Sequence, residues 1–114
     1  MAKTAEGEVK KAVKKLLNQY GAYYHMPVVG PYGKRTLDFV GCYEGMFFAI
    51  ETKRGELGMT PKQAEIAKEM REAGAYVLLV NEVVGLESLR MWLETAGRIH
   101  DFETIITGGR DGTT

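Results

Sequence analysis

The stretch Thr36-Leu-Asp-Phe-Val-Gly-Cys-Tyr-Glu-Gly-Met-Phe-Phe-Ala-Ile-Glu-Thr-Lys53 decides the fold. Thr36 to Cys42 and Met46 to Lys53 are rich in aromatic and β-branched residues and read as two strands, with Glu44-Gly45 between them as a two-residue hairpin loop. Such a loop makes Tyr43 face Met46, which in turn makes Asp38 face Glu51. Directly opposed residues on one side of an antiparallel pair have Cβ atoms about 4.5 to 5.5 Å apart. The pleat puts Lys53 on the same side, on a face otherwise lined by Val40, Phe47 and Ala49. Two carboxylates on a half-buried surface repel each other. A divalent cation such as Mg²⁺, commonly held by one or two carboxylates and water, removes the repulsion. A surface salt bridge of Lys53 with the acids at the strand ends is the alternative.

Downstream of this hairpin, Thr60 is a good N-cap and Pro61 a good first helical residue, and Gln63, Ile66, Ala67, Met70 and Ala73 carry a helical stripe to Gly74. Ala75 to Val80 is an apolar run of the kind found in strands buried on both faces. Leu86 to Thr95 reads as a third helix. Upstream, Val9, Val13, Leu16, Leu17 and Tyr20 recur at helical spacing over Glu6 to Tyr20, between a Thr4 cap and the stop Gly21. Ala22 to Val29 reads as a strand ending in the mobile turn Gly30-Pro31-Tyr32-Gly33. The order α-β-β-β-α-β-α predicts a single α/β domain over residues 1–106. Its sheet is mixed, its crossover right-handed, and helices cover both faces. Residues 107–114, with almost nothing to bury, are expected to be a disordered tail.

Length and composition agree with one domain. The chain has 114 residues, 45% of them hydrophobic and 26% charged. The single cysteine, Cys42, excludes an intramolecular disulfide and a cysteine-based zinc site. No apolar run approaches a membrane span and the N-terminus has no signal-peptide core, so a cytoplasmic protein is expected. Fifteen basic and fifteen acidic residues cancel, but unevenly. Residues 1–54 carry nine basic groups against five acidic ones, and the rest carry six against ten. A phosphate-bearing partner would meet the first half, although Lys10, Lys11, Lys14 and Lys15 can equally be the wet face of a helix.

Two helical polar residues add to the sheet acids. Glu6 projects from the stripe of Val9 and Val13 at the start of the first helix, whereas Glu8 points to solvent. Gln63 stands in the same relation to Ile66, Ala67 and Met70. Both helices therefore direct a polar residue from an apolar stripe at their N-terminal ends, which suggests convergence on one site.

Asp38 followed thirteen residues later by Glu51-Thr52-Lys53, in this element order, resembles the PD-(D/E)xK nuclease superfamily. More narrowly it resembles the VRR-NUC group, small stand-alone nuclease domains common in phages. The supporting stretches are Glu6-Gly-Glu-Val-Lys, Tyr23-Tyr-His-Met-Pro, Gly30-Pro-Tyr-Gly-Lys-Arg, Ala49-Ile-Glu-Thr-Lys and Thr60-Pro-Lys-Gln, so the likeness runs from about Thr4 to Val80. One departure is Arg35-Thr-Leu-Asp38, where the family usually has a proline before the metal-binding aspartate.

The resemblance implies an endonuclease that hydrolyses DNA phosphodiesters with Mg²⁺ or Mn²⁺. Asp38, Glu51 and the Thr52 carbonyl would bind the metal, and Glu6 would hold a metal-bound water or complete a second site. Lys53 would orient the attacking water or stabilise the transition state, and Gln63 would position the nucleophile or Lys53. Lys10, Lys14, Lys34, Arg35 and Tyr32 are candidates for contact with the DNA backbone, helped by the flexible Gly30 and Gly33. The family likeness further implies branched DNA such as four-way (Holliday) junctions as substrate, a homodimer as the working unit, and a phage protein in the host cytoplasm.

Tyr23, Tyr24 and His25 are read as core residues rather than base-stacking ones, and His100 as a surface residue. Met91, Trp92 and Leu93, with Ile105 and Ile106 beyond them, either form a dimer patch or finish the monomer core. Three other functions are open at this level. They are a catalytically silent DNA-binding module of the same fold, a sequence-specific restriction-type nuclease, and a small protein-interaction domain whose acids form ordinary salt bridges.

Overall fold

The computed structural model describes residues 4–28, 30–31 and 35–107, with side chains described as far as Arg98. Its elements are α1 (Ala5–Gln19), β1 (Tyr23–His25), β2 (Phe39–Tyr43), β3 (Met46–Thr52), α2 (Pro61–Glu72), β4 (Tyr76–Val80) and α3 (Leu86–Thr107), in the expected order. They form one four-stranded mixed sheet in the order β1-β2-β3-β4. The first two pairings are antiparallel and the last, β3 with β4, is parallel.

The hairpin loop behaves as its length requires. Glu44 and Gly45 both take positive φ, 53° and 79°, the backbone of a type I′ turn, and Tyr43 faces Met46. The same register continues to Phe39 opposite Ile50. Because side chains alternate, Phe39, Phe48 and Ile50 fall on one face of the sheet, where they pack with Val9, Val13 and Leu17 of α1 and Leu89 and Leu93 of α3. Ala49 falls on the other and packs with Ile66 and Ala67 of α2 and with Leu37 and Val77.

The helix starts follow from their caps. Thr4 accepts the Gly7 N–H at 2.9 Å through its hydroxyl. At α2 the Thr60 hydroxyl accepts the Gln63 N–H at 3.2 Å while the Gln63 side chain accepts the Thr60 N–H at 3.0 Å, a reciprocal capping box. Gly21 and Gly74 follow the two helices with positive φ.

Four expectations are corrected. The first strand is only three residues long, since Met26 to Val28 leave the ladder and Pro27 has no N–H to donate to it; Val29 lies outside the described residues. β4 is the edge of the sheet, and although Tyr76, Leu78 and Val80 pack into one core and Val77 into the other, only Val77 and Val80 of its five residues are buried rather than the whole run. The third helix runs to Thr107 and absorbs Ile105 and Ile106 into its backbone. Gly97, two residues past the expected end at Thr95, does not stop it. A Cβ at Gly97 would lie 2.9 Å from the Tyr43 hydroxyl, so the glycine serves close packing inside the helix. Lastly, of the three residues read as core in β1, only Tyr24 is packed, with its ring 5.7 Å from that of Phe39, while Tyr23 is 73% exposed and His25 is exposed.

In α3, Leu93 is fully buried and Trp92 packs against the core, stacked on Tyr76 at 4.3 Å and in contact with the rings of Tyr43 and Phe48. Those two residues therefore finish the monomer core, and Met91 alone of the three is exposed. The expected tail beyond Thr107 and the side chain of His100 lie outside the described residues.

Candidate active site

The end of the sheet where β2 begins and β3 finishes gathers Asp38, Glu51 and Thr52. Asp38 immediately precedes β2, so its backbone is not held in the pleat. Its N–H donates to Glu51 Oε1 at 3.1 Å. Its Oδ2 accepts two hydrogen bonds from Thr52, one from the backbone N–H at 2.9 Å and one from the hydroxyl at 2.6 Å. Asp38 and Glu51 are therefore adjacent, as the hairpin register requires, and their link is backbone to carboxylate across the sheet end.

Glu51 is 3% exposed and Thr52 is 1% exposed. A buried carboxylate is costly unless its oxygens find donors. Gln63, from the first turn of α2, supplies one through Nε2 to Glu51 Oε2 at 2.8 Å. Since Gln63 Oε1 already closes the α2 capping box, this one side chain ties the helix start to the acid.

α1 reaches the same place with a cation. Lys10, 27% exposed at its side chain, lies 2.6 Å from Glu6 Oε2 and 3.8 Å from Asp38 Oδ2. Glu6 thus approaches the sheet acids through Lys10. Among the described residues no group of three or more His, Cys, Asp or Glu side chains is placed to share a metal ion. The donor set that remains, two carboxylates with a neighbouring backbone carbonyl, is all hard oxygen. It suits a small divalent cation that keeps most of its own water, as Mg²⁺ does.

Lys53 follows the last residue of β3 and is half-buried. Its N–H donates to the Val80 carbonyl at 3.0 Å. Among the described residues its ammonium forms no hydrogen bond or ion pair. Lys14 is exposed on α1, and Arg35 pairs with Glu69 at 3.2 Å with both side chains exposed. Tyr32, Gly33 and Lys34 lie outside the described residues.

Two features of the site were not read from the sequence. Lys10 appeared among surface lysines, yet its i, i+4 spacing from Glu6 was a usable signal of a side-chain pair. The Thr52 hydroxyl had no such signal, because strand alternation alone would turn it away from the face of Glu51.

No family model and no curated protein matches the chain. Among solved structures, one described as a VRR_NUC domain superimposes with a TM-score of 0.60 at 19% identity, over 81% of this chain and 92% of that one. By this superposition the chain has the fold of a VRR_NUC domain.

Proposed function

We propose that the chain is a divalent-metal-dependent endonuclease of the VRR-NUC family that hydrolyses DNA phosphodiesters, with branched DNA such as four-way junctions as its preferred substrate. The observation that carries this reading is the junction of Asp38 and Glu51 at one end of the sheet, bonded to each other through the Asp38 N–H and oriented from behind by Thr52 and Gln63. Acids that serve only packing do not need to be brought together at a strand end with their oxygens fixed by a capping residue and a buried threonine.

Asp38, Glu51 and the Thr52 carbonyl would hold Mg²⁺ or Mn²⁺, with Glu6 contributing through water. The metal supplies a bound water of lowered pKa and compensates charge on the scissile phosphate. Lys53 contributes a point charge for orienting the attacking water or for the charge that builds on the phosphoryl oxygens. Gln63 holds Glu51 in place. Water is the nucleophile, so no side chain is consumed.

Lys10, Lys14, Lys34, Arg35 and Tyr32 would meet the phosphate backbone. The Arg35–Glu69 pair is exposed and worth little, so a phosphate can replace Glu69 as its partner. Paired cuts on opposed strands favour a homodimer.

Cleavage of labelled four-way junction, flap and linear duplex DNA with Mg²⁺ or Mn²⁺ tests the reading, with Asp38→Ala and Lys53→Ala alongside. Loss of junction cutting in Asp38→Ala, and a large but measurable fall in Lys53→Ala, is expected. Binding without cutting in the wild type would make the chain a silent DNA-binding module, and cutting of one duplex sequence regardless of branching would make it a restriction-type enzyme.

A further inference from the structure

Lys53 opens a segment that is hard to hold still. Lys53-Arg-Gly-Glu-Leu-Gly58 lies between β3 and the start of α2, contains two glycines, and has Gly55 at φ +55°. Every residue ordered in such a segment costs backbone entropy. A lysine placed for chemistry at its base would inherit the looseness.

The turn after β4 holds it. The Lys53 N–H donates to Val80 O at 3.0 Å. Gly55 and Glu82 exchange two bonds, from the Glu82 N–H to Gly55 O at 3.1 Å and from the Gly55 N–H to Glu82 Oε1 at 2.6 Å. Asn81 Nδ2 donates to Leu57 O at 3.1 Å. Asn81 is itself fixed, since it is 7% exposed and its Oδ1 accepts the N–H groups of Val83 and Val84, each at 2.8 Å. One rigid turn thus clamps the chain at residues 53, 55 and 57, continuing the contact of β3 with β4 past the end of the strands.

We infer that Asn81 and Glu82 are positioning residues for Lys53. They fix the backbone that carries its ammonium, so that less conformational freedom has to be given up when the lysine takes its catalytic place on bound DNA. The inference rests on the reading of Lys53 as part of the nuclease machinery. Glu82 is the informative member. It is exposed, so losing its carboxylate removes one loop bond without opening a cavity.

The experiment compares Glu82→Ala, Glu82→Gln, Lys53→Ala and the Glu82→Ala/Lys53→Ala double variant. Junction cleavage is measured as kcat and KM, and limited trypsin digestion is measured at the exposed Arg54. Glu82→Ala is expected to lower kcat by roughly tenfold with KM nearly unchanged, as a displaced catalytic group does. It is also expected to speed trypsin cutting after Arg54. Glu82→Gln keeps the acceptor oxygen and is expected to return both readouts close to wild type. In the Lys53→Ala background Glu82→Ala is expected to cost nothing further in kcat, because residues that act through one another are not additive.

Full additivity, or Glu82→Ala with wild-type kcat, overturns the inference while leaving the nuclease reading intact. A wild type that cuts no substrate with either metal is the separate failure of that reading, and the inference falls with it.

Discussion

Gln63 donates to Glu51 Oε2 at 2.8 Å while its own Oε1 accepts the Thr60 N–H at 3.0 Å, so a helix cap and a candidate metal ligand share one side chain. The two uses can be separated. Gln63→Glu keeps a capping acceptor but sets a second carboxylate against the buried Glu51. Junction cleavage is expected to fall by about tenfold or more, in line with loss of a positioned group, with helix content by circular dichroism unchanged. Gln63→Ala also loses the reciprocal half of the capping box, the acceptor of the Thr60 N–H, and is expected to unfold about 1 kcal/mol more easily in urea. Equal cleavage by wild type and Gln63→Glu would remove Gln63 from the site.

Thr52 holds Asp38 with two donors, and only one of them is a side chain. Thr52→Val keeps the shape of this fully buried residue and deletes the hydroxyl. Urea unfolding is expected to show a loss of about 1 to 3 kcal/mol, as for a buried acceptor that loses its partner. Thr52→Ser is expected to recover most of it.

Lys10 stands beside Asp38 and bonded to Glu6, and so provides positive charge where a divalent cation would also bring it. The two cations repel. Lys10→Met is therefore expected to lower the thermal midpoint in chelator and to enlarge the upward shift that Mg²⁺ produces. Identical Mg²⁺-induced shifts in wild type and Lys10→Met would mean that the metal binds elsewhere or not at all.

Trp92 is the chain's only tryptophan and stacks on Tyr76 with an interplanar angle of 1°. Trp92→Ala is expected to cost about 3 kcal/mol, the lower end of the range for deleting a large ring, since Trp92 is half-buried. Burial also pushes the Tyr76 hydroxyl above the ordinary tyrosine range. The folded state therefore favours the neutral phenol. This contribution is complete below the unfolded pKa of about 10 and is lost as pH rises from there through the higher folded value. Tyr76→Phe is expected to flatten that alkaline loss in urea titrations.

At Gly41 an added Cβ would lie 2.0 Å from the Tyr23 carbonyl oxygen and 2.8 Å from the Tyr24 Cα, both backbone atoms that cannot move aside cheaply. Gly41→Ala is expected to detach β1 from β2, seen as early hydrogen exchange at Tyr23 to His25 while the β2–β3 amides stay protected.

Local rules were enough for the parts of this protein whose geometry is set within a few residues. A two-residue loop leaves a hairpin only one register, so Glu44-Gly45 already implied that Asp38 and Glu51 meet. Thr4, and Thr60 with Pro61, implied where two helices start, because a cap acts within one turn. What remained depended on contacts between distant segments. Asp38 turned to Thr52 because the ladder ends one residue short of it, and Lys10 reached that carboxylate only because α1 packs across the sheet. Gly97 is internal to α3, and what asks for a glycine there is the distant Tyr43 hydroxyl, 2.9 Å from where its Cβ would lie. Sequence spacing fixes which residues can be neighbours within an element; which donor, cation or ring lies against them is decided by packing between elements, whose energy is not written in any short stretch of chain.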